Sequence, residues 1–401
     1  MTDRPRVLDL RDPAPGRGPK IAVVTAAFPT LTQTAVLGEL RALHRAGRLA
    51  GIFPTRPGDT QMHHPAVAEL LPYVRLLPDG GAHEQAEALA ARVTALRAAG
   101  GRVDGVHGWY AHEPAAVAER AADLLRVPFS FGVHAADARR VSPLELGRRA
   151  ERAAGVVACN PRAVEMLRAT SANVTELPHG VDLERFRPRP GATTGALADA
   201  GRAPDGATGR PLHVLAVGRL LERKGFGVLV DALSRVRHAW RLRIVGDGPT
   251  RAALEDAARR APGGSRIEFA GAVPHDALPT HYGWADLVAV PSVVDANGDR
   301  DGLPNTVLEA MACGVAVLGT DVGAIGGVLR ASGGGLVVPP GDPRPLATLL
   351  ESLARNAPVR RALAAQGRVH AVESYGLDRC SNRFVAHLES LHGHRIPSSV
   401  R

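Results

Sequence analysis

The chain has 401 residues, more than one hydrophobic core usually accommodates, and its hydrophobic content of 45% is enough for two domains of roughly 150 to 200 residues each. The formal charge of +9 comes from Arg residues that are interspersed with Glu and Asp along helix-like segments, and aromatic residues make up only 4% of the chain. Because stacking on bases needs aromatic side chains, this composition argues against nucleic acid and fits an anionic small ligand or an acidic membrane surface.

The first half of the chain alternates between predicted strands and helices. Residues 1–19 are rich in Pro and charge, which predicts a disordered tail and not a signal peptide. An apolar strand, IAVVTAAF, then leads into an amphipathic helix over 31–46. The next predicted elements are strands at 105–110, 129–134 and 155–160 and helices at 113–125 and 143–154. This pattern predicts an N-terminal domain over 20–188 with a parallel sheet covered by helices on both faces.

A second alternating domain is predicted after a linker. Residues 189–211 are dense in Gly, Pro and Ala without periodicity, which indicates an interdomain linker. The predicted strands that follow lie at 212–217, 242–245, 267–270, 287–291, 315–319 and 335–338. We therefore expect an α/β protein with two doubly wound, Rossmann-like domains facing a cleft, the second over 212–375. The helical segment in 376–401 is expected to cross back to the first domain.

Two cations follow the first strand of the second domain. In VGRLLERKG, Arg219 and Lys224 lie in the loop that enters the next helix. A forked guanidinium and a point charge at the carboxyl edge of a parallel sheet suit a pyrophosphate. The alternative interpretation, a solvated basic loop, fits this segment equally well when it is taken alone.

The segment Asp301-Gly-Leu-Pro-Asn-Thr-Val-Leu-Glu309 carries the strongest chemical signal. Pro304 suits the first position of a helix, where the amides of Asn305 and Thr306 would form an anion site. Gly302 and Leu303 belong to the same predicted binding segment. Glu309 lies five residues after Pro304, roughly 7 to 8 Å along the helix axis, which is about the length of a diphosphate. This spacing predicts that two carboxylates flank one ligand.

A metal site is the weaker interpretation of this region. Asp299 and Asp301 form an Asp-x-Asp pattern that could hold a divalent ion, but the nearby cations and helix start already supply positive charge. Cys159, Cys313 and Cys380 are far apart without CxxC spacing, which argues against zinc and disulfides and indicates a reducing cytoplasm. No apolar run reaches the ~20 residues of a membrane helix, so we expect at most peripheral contact with the inner membrane face.

The first domain contributes a candidate catalytic histidine. In PFSFGVHAADAR, His134 ends a predicted buried strand and Asp137 follows one short turn later. A histidine is usually structural or exposed, but the carboxyl edge of a sheet is where open α/β folds place their chemistry. We therefore predict a catalytic role for His134 and an acceptor-side position for Asp137.

Taken together, the chain resembles family 4 of the retaining glycosyltransferases, which have the GT-B fold, and most closely the branch that builds colanic acid and related exopolysaccharides. The resemblance runs from about Lys20 to Tyr375. It rests on GRLLERKG, GDGP, FAGAVPHDALPTHY, the 301–309 block with EAMACG, and GGLVVPPGD.

The resemblance implies a role for each matching residue. Arg219 and Lys224 would grip the donor diphosphate, and Glu309 would hold the ribose. Asp301 would contact the donor sugar, and His134 would lie near the reacting sugar. The implied reaction needs no metal and no cofactor: it moves a sugar from a UDP- or GDP-linked donor to a small-molecule or lipid-linked glycan acceptor, with retention of configuration.

Four positions depart from the pattern of the family. Asp301 replaces the more common Glu, and Gly327 stands where a Glu is usual. FPTLTQT replaces a Ser-Glu-Thr-Phe run, so we expect Thr32 and Gln33 to face an altered acceptor. Trp109, in HGWY, replaces a second histidine, again on the predicted acceptor side. The product could therefore belong to exopolysaccharide or secondary-metabolite biosynthesis. The alternatives to a glycosyltransferase are a nucleotide-sugar 2-epimerase, a phosphorylase or a non-catalytic carbohydrate-binding relative.

Overall fold

The computed structural model describes residues 18–30, 34–59, 65–134, 138, 140–170, 172–188 and 210–393. Contacts divide these residues into two compact units. The first unit comprises the described residues up to Cys159, Ala163–Pro178 and those from Asp378 onward, and the second comprises Asn160–Arg162 and His179–Leu377.

The boundary between the units lies earlier than the predicted position 188. Val181 and Phe186 are buried in the core of the second unit together with Tyr282. The segment 179–188 is therefore part of the second unit because its apolar side chains are buried there. Residues 1–17 of the predicted tail and 189–209 of the predicted linker lie outside the described residues.

The first unit is built on a six-stranded parallel sheet with the order β2-β1-β3-β4-β5-β6. Its strands are β1 (Ile21–Phe28), β2 (Leu49–Pro57), β3 (Gly105–Gly108), β4 (Phe129–Val133), β5 (Gly155–Ala158) and β6 (Val174–Glu176). The helices that the structure describes in this part of the chain are Thr34–Arg45, Ala82–Ala98, Glu113–Leu125, Pro143–Arg152 and Pro161–Glu165.

Successive residues of β1 pack on opposite faces of this sheet. Ile21 and Val23 belong to the cluster that contains the apolar face of helix Thr34–Arg45. Ala22 and Val24 belong to the cluster on the other face. Side chains alternate along a strand, so a strand that is apolar at every position needs cover on both sides. This is why the unbroken run IAVVTAAF forms a buried strand.

Two strands of this sheet were not predicted from the sequence. β2 contains Pro54 and Pro57, which usually indicate turns, and β6 has only three residues. Both lie at the edges of the sheet. An edge strand tolerates proline because one side of its backbone has no partner strand.

The second unit repeats the architecture with a parallel sheet of order β12-β11-β10-β7-β8-β9. Its strands are β7 (Leu212–Val217), β8 (Trp240–Val245), β9 (Ile267–Gly271), β10 (Leu287–Val290), β11 (Ala316–Thr320) and β12 (Gly335–Val338). Its helices are Phe226–Ser234, Arg251–Arg260, Leu278–Trp284, Asn305–Ala312, Ile325–Ser332, Pro343–Arg355 and Ala357–Tyr375. The predicted fold class, α/β with two doubly wound domains, is confirmed.

The last helix, Leu377–His392, packs in the core of the first unit. Phe384, Val385 and Leu388 are buried in the cluster that contains Ile21. This helix therefore covers one face of the sheet formed by the beginning of the chain.

Candidate functional site

Two glycines let neighbouring loops approach the segment between β10 and helix Asn305–Ala312. Gly225 has a φ of +66°, and a Cβ there would lie 1.9 Å from the carbonyl oxygen of Pro291. Gly323 has a φ of +59°, and its Cβ would lie 2.2 Å from the carbonyl oxygen of Asp301. Glycine adopts this left-handed backbone without strain and leaves room for the contact. The segment between β10 and the helix, which carries Asp301, is therefore in close contact with the loop of Gly225 near one end and with the loop of Gly323 near the other.

The carboxylate of Asp301 is buried and has three polar neighbours. Ser292 Oγ donates a hydrogen bond of 2.5 Å to Oδ2. Lys224 Nζ lies 2.9 Å and Arg223 Nε 3.6 Å from Oδ1. Arg223 Nη1 also donates to Asp299 Oδ2 at 2.9 Å. Both carboxylates of the Asp-x-Asp pattern thus have cationic partners, and a divalent ion would have to compete with these cations for them.

The two predicted phosphate-binding cations differ in their surroundings. Lys224 runs beside Gly218 at the end of β7, where its Cε lies 3.3 Å from the position of a Cβ on that glycine. Arg219 is exposed, and its guanidinium forms no hydrogen bond or ion pair with any residue that the structure describes. A ligand oxyanion would therefore be a first charged partner for Arg219, whereas Lys224 would share its charge between the ligand and Asp301.

Helix Asn305–Ala312 begins beside the end of β7. Thr306 Oγ1 donates to the carbonyl oxygen of Val217 at 3.2 Å, which fixes the start of the helix against the strand. Pro304 precedes the helix with an extended backbone and contributes no capping side chain of its own. A helix start of this kind favours negative charge through the helix dipole. Asn305 is exposed at this end.

Gly302 and Leu303 connect Asp301 to the helix. The carbonyl oxygen of Gly302 accepts a hydrogen bond of 2.9 Å from the amide of Ala324. Leu303 is half-buried against the apolar core of the second unit. These two contacts fix the backbone of the loop, so the position of Asp301 relative to the helix start is set before any ligand binds.

Glu309 is buried inside the helix and accepts hydrogen bonds on both oxygens. Tyr282 Oη donates to Oε2 at 2.7 Å, and His275 Nε2 lies 3.0 Å from Oε1. Burial and the neighbouring carboxylate raise the pKa of Tyr282 well above its usual range, so its hydroxyl stays protonated and acts as a donor. Burial also raises the pKa of the Cys313 thiol to about 12, with a further contribution from Glu309.

The sequence-predicted residues of the second unit therefore fall into two groups. Lys224 and Asp301 are in direct contact, whereas Thr306 and Glu309 lie on one helix whose start adjoins β7. Their partners Ser292, Arg223, His275 and Tyr282 were missed. The last two lie within the quoted segment FAGAVPHDALPTHY, so the motif indicated the region without assigning these side chains a role.

In the first unit, His134 is half-buried among aromatic rings. Its ring centroid lies 4.5 Å from that of Trp109 and 5.3 Å from that of Tyr110. Trp109 is itself buried, and its indole N–H donates to Glu39 at 2.5 Å. Trp109 therefore contacts His134 through its ring while its hydrogen-bond donor is engaged by Glu39, and its acceptor-side role stays a prediction. The predicted acceptor-side residues Thr32, Gln33 and Asp137 lie outside the described residues.

Comparison with known proteins finds similarity mainly in the second unit. Residues 211–356 match a family described as "Glycosyl transferases group 1". A putative colanic acid biosynthesis glycosyltransferase, WcaL, of Escherichia coli is 34% identical over 179 residues, which are 44% of this chain and 41% of that protein. A GDP-mannose-dependent alpha-(1-6)-phosphatidylinositol monomannoside mannosyltransferase of Mycolicibacterium smegmatis is 32% identical over 209 residues, 51% of this chain and 53% of that protein. The chain thus spans less than two thirds of either relative.

The fold also has a solved counterpart. The structure of Anabaena HepE in complex with UDP superimposes with a TM-score of 0.75 at 16% identity, covering 92% of this chain and 100% of that chain. The predicted resemblance to glycosyltransferases is confirmed at the level of the group 1 domain. Among the helices that the structure describes, none is long and apolar enough to cross a membrane.

Proposed function

We propose that this protein transfers a sugar from a nucleoside-diphosphate sugar to an acceptor hydroxyl with retention of configuration, and without a metal. The observation that carries the proposal is the set of charges within residues 211–356. Arg219 and Lys224 lie in the loop after β7. The carboxylate of Asp301, which is paired with Lys224, precedes helix Asn305–Ala312, and the buried carboxylate of Glu309 lies within that helix.

Each part of the donor would bind a different group of these residues. The diphosphate would bind Arg219, Lys224 and the start of helix Asn305–Ala312, since cations and a helix start both stabilise phosphate charge. Glu309 would accept the hydroxyl groups of the ribose. As Lys224 turns to the phosphate, the carboxylate of Asp301 would accept a hydroxyl group of the donor sugar.

Catalysis would come mainly from stabilising the leaving group. The bond between the anomeric carbon and the diphosphate oxygen breaks with its electron pair on the diphosphate, and the acceptor oxygen forms the new bond on the same face. The proton of that oxygen passes to the departing diphosphate. Removing one fixed donor to a developing oxyanion typically costs a factor of ~10² to 10³ in turnover. His134 of the first unit remains a predicted catalytic residue, and His134→Ala tests it.

Relatives support the choice between possible products. The names of the two relatives, a colanic acid glycosyltransferase and a GDP-mannose-dependent mannosyltransferase, favour transfer over epimerisation or phosphorolysis. They also support a polysaccharide or lipid-linked acceptor and a GDP-linked donor, while HepE was solved with UDP. We therefore extend the proposal to exopolysaccharide biosynthesis, with a UDP- or GDP-linked donor.

The experiment is product analysis with purified protein. UDP- and GDP-sugars are supplied alone, with inorganic phosphate, or with candidate lipid-linked and soluble glycan acceptors. An acceptor-dependent glycoside with the donor's anomeric configuration supports the proposal. An epimerised donor, a sugar phosphate or no product at all contradicts it in favour of one of the three alternatives. Arg219→Ala and Lys224→Ala should each lower turnover by roughly 10² to 10³, whereas Arg259→Ala, on an exposed helix of the same unit, should not.

A further inference from the structure

The carboxylate of Glu309 is arranged to accept two hydrogen bonds from one ligand. Tyr282 occupies one lone pair of Oε2 and His275 one lone pair of Oε1. A carboxylate offers about four such sites, so one remains on each oxygen. Among the described residues no third side chain donates to Glu309, whose exposed fraction is 5%. Two adjacent hydroxyl groups match the two remaining lone pairs.

The two donors are themselves held by packing on one aromatic ring. Phe186 contacts His275 edge to face, with ring centroids 5.0 Å apart. It contacts Tyr282 in the same way at 5.8 Å. Phe186 and Tyr282 are fully buried. Because buried aromatic rings in edge-to-face contact have few alternative rotamers, both donors are fixed before a ligand binds.

Arg185 determines which nitrogen of His275 carries the proton. Its Nη1 donates to Nδ1 of His275 at 3.0 Å. The same group is paired with Asp276 Oδ1 at 3.1 Å, which holds the guanidinium in place. A guanidinium has no acceptor, so Nδ1 must present a lone pair and the proton must reside on Nε2. The Nε2–H of His275 is therefore the group that donates to Glu309.

We propose that His275 and Tyr282 are positioning residues that hold Glu309 so that it accepts hydrogen bonds from both ribose hydroxyl groups of the donor, and that Arg185 sets the tautomer of His275 required for this. The inference rests on the proposed function and adds to it the residues that make the site selective for ribonucleotides. Arg185 is remote in sequence from helix Asn305–Ala312. It thus acts on the nucleotide through the chain of contacts from Arg185 to His275 to Glu309.

The experiment measures selectivity between ribose and deoxyribose. UDP, GDP and their 2′-deoxy forms are titrated calorimetrically into the full chain, and the ratio of the two Kd values is compared among variants. We expect the wild type to prefer the ribose form at least tenfold, the factor that corresponds to about 1.4 kcal/mol. Tyr282→Phe and His275→Ala should bring the ratio close to one, with the larger increase in Kd for the ribose form, since the 2′-deoxy form has only its 3′ hydroxyl contact with Glu309 to lose.

A structural role alone would give a different pattern. General loosening of the unit would weaken both nucleotides equally and leave their ratio unchanged. His238→Ala, in a loop of the same unit, is the matched control and should change neither Kd. The double variant His275→Ala, Glu309→Gln should lose no more selectivity than Glu309→Gln alone, because both substitutions act on one contact.

The tautomer is tested by a rescue. Arg185→Met should reduce selectivity when position 275 is histidine. It should have no effect in a His275→Gln background, where the amide nitrogen donates without any choice of tautomer. Equal losses in the two backgrounds would overturn the role of Arg185.

The outcomes separate this inference from the function on which it rests. If the wild type binds none of the four nucleotides, the proposed function fails and the inference with it. If Glu309→Gln loses selectivity but Tyr282→Phe and His275→Ala retain it, the inference is wrong and the proposed function stands. Thermal melting of each variant identifies any that does not fold, and Tyr282→Phe, which removes a single oxygen, then carries the test.

Discussion

The ion pair between Lys224 and Asp301 yields a prediction that separates stability from activity. Lys224→Met removes the cation 2.9 Å from a carboxylate, and the side chains of the pair are 15% and 9% exposed. Exposed pairs contribute ~0 to 1 kcal/mol, whereas breaking a fully buried pair costs ~3 to 5 kcal/mol. Arg223 remains 3.6 Å away as a second cation. We therefore expect Lys224→Met to lower the free energy of unfolding by about 2 kcal/mol.

Adding Asp301→Asn should reverse this loss of stability but not the loss of activity. The asparagine leaves no buried negative charge without its cation and can still accept from Ser292, so the double variant should unfold within about 1 kcal/mol of the wild type. Turnover should stay reduced by roughly 10² to 10³ in both variants, because the cation proposed to stabilise the leaving diphosphate is missing.

The assays are urea unfolding and initial rates at saturating donor. With an m-value of about 2 kcal/mol/M, the single variant should lower the unfolding midpoint by roughly 1 M. Arg259→Ala, exposed on the helix Arg251–Arg260, is the control for both assays. Full activity in Lys224→Met, or a double variant as unstable as the single one, would refute the reasoning.

Three further predictions concern stability. Gly323→Ala should destabilise the chain by more than about 1 kcal/mol, because Gly323 has a φ of +59° and its Cβ would clash with the loop that carries Asp301. Gly327→Ala, where a Cβ meets nothing within 4 Å, should instead stabilise its helix by about 0.5 to 1 kcal/mol. Urea midpoints that shift in the same direction in both variants would contradict this. Burial lowers the pKa of His107 to about 3 and of His392 to about 4. As the pH is lowered below 6.5, these histidines therefore bind protons in the unfolded chain but not in the folded chain. The free energy of unfolding should decrease by up to ~1.4 kcal/mol per pH unit for each histidine as the pH is lowered from 6.5 to about 4. A free energy of unfolding that does not change over this pH range would contradict the prediction. Glu119→Gln should cost about 3 kcal/mol in urea unfolding, because the buried carboxylate pairs with three arginines of helix Pro143–Arg152, and an unchanged midpoint would show that solvent screens this cluster.

Much of the fold followed from local pattern. β1, β7, β12 and helix Glu113–Leu125 have their predicted limits, because an apolar run between breakers and a 3.6-residue period are properties of neighbouring residues. β2 was missed because its prolines resemble turn signals, and only its place at the sheet edge makes them tolerable.

The sequence by itself indicated the residue types of the proposed donor site: the cations after β7, the acid before the helix and Glu309 within it. Only the tertiary structure decided how these groups are held. Ser292 and Lys224 on Asp301, and Tyr282 and His275 on Glu309, are brought together from different loops and elements of the sheet. Arg185 contacts His275 across 90 positions of the chain. Periodicity records what a residue's neighbours in sequence require, whereas a hydrogen bond between distant segments depends on strand order and loop position, which local pattern does not encode.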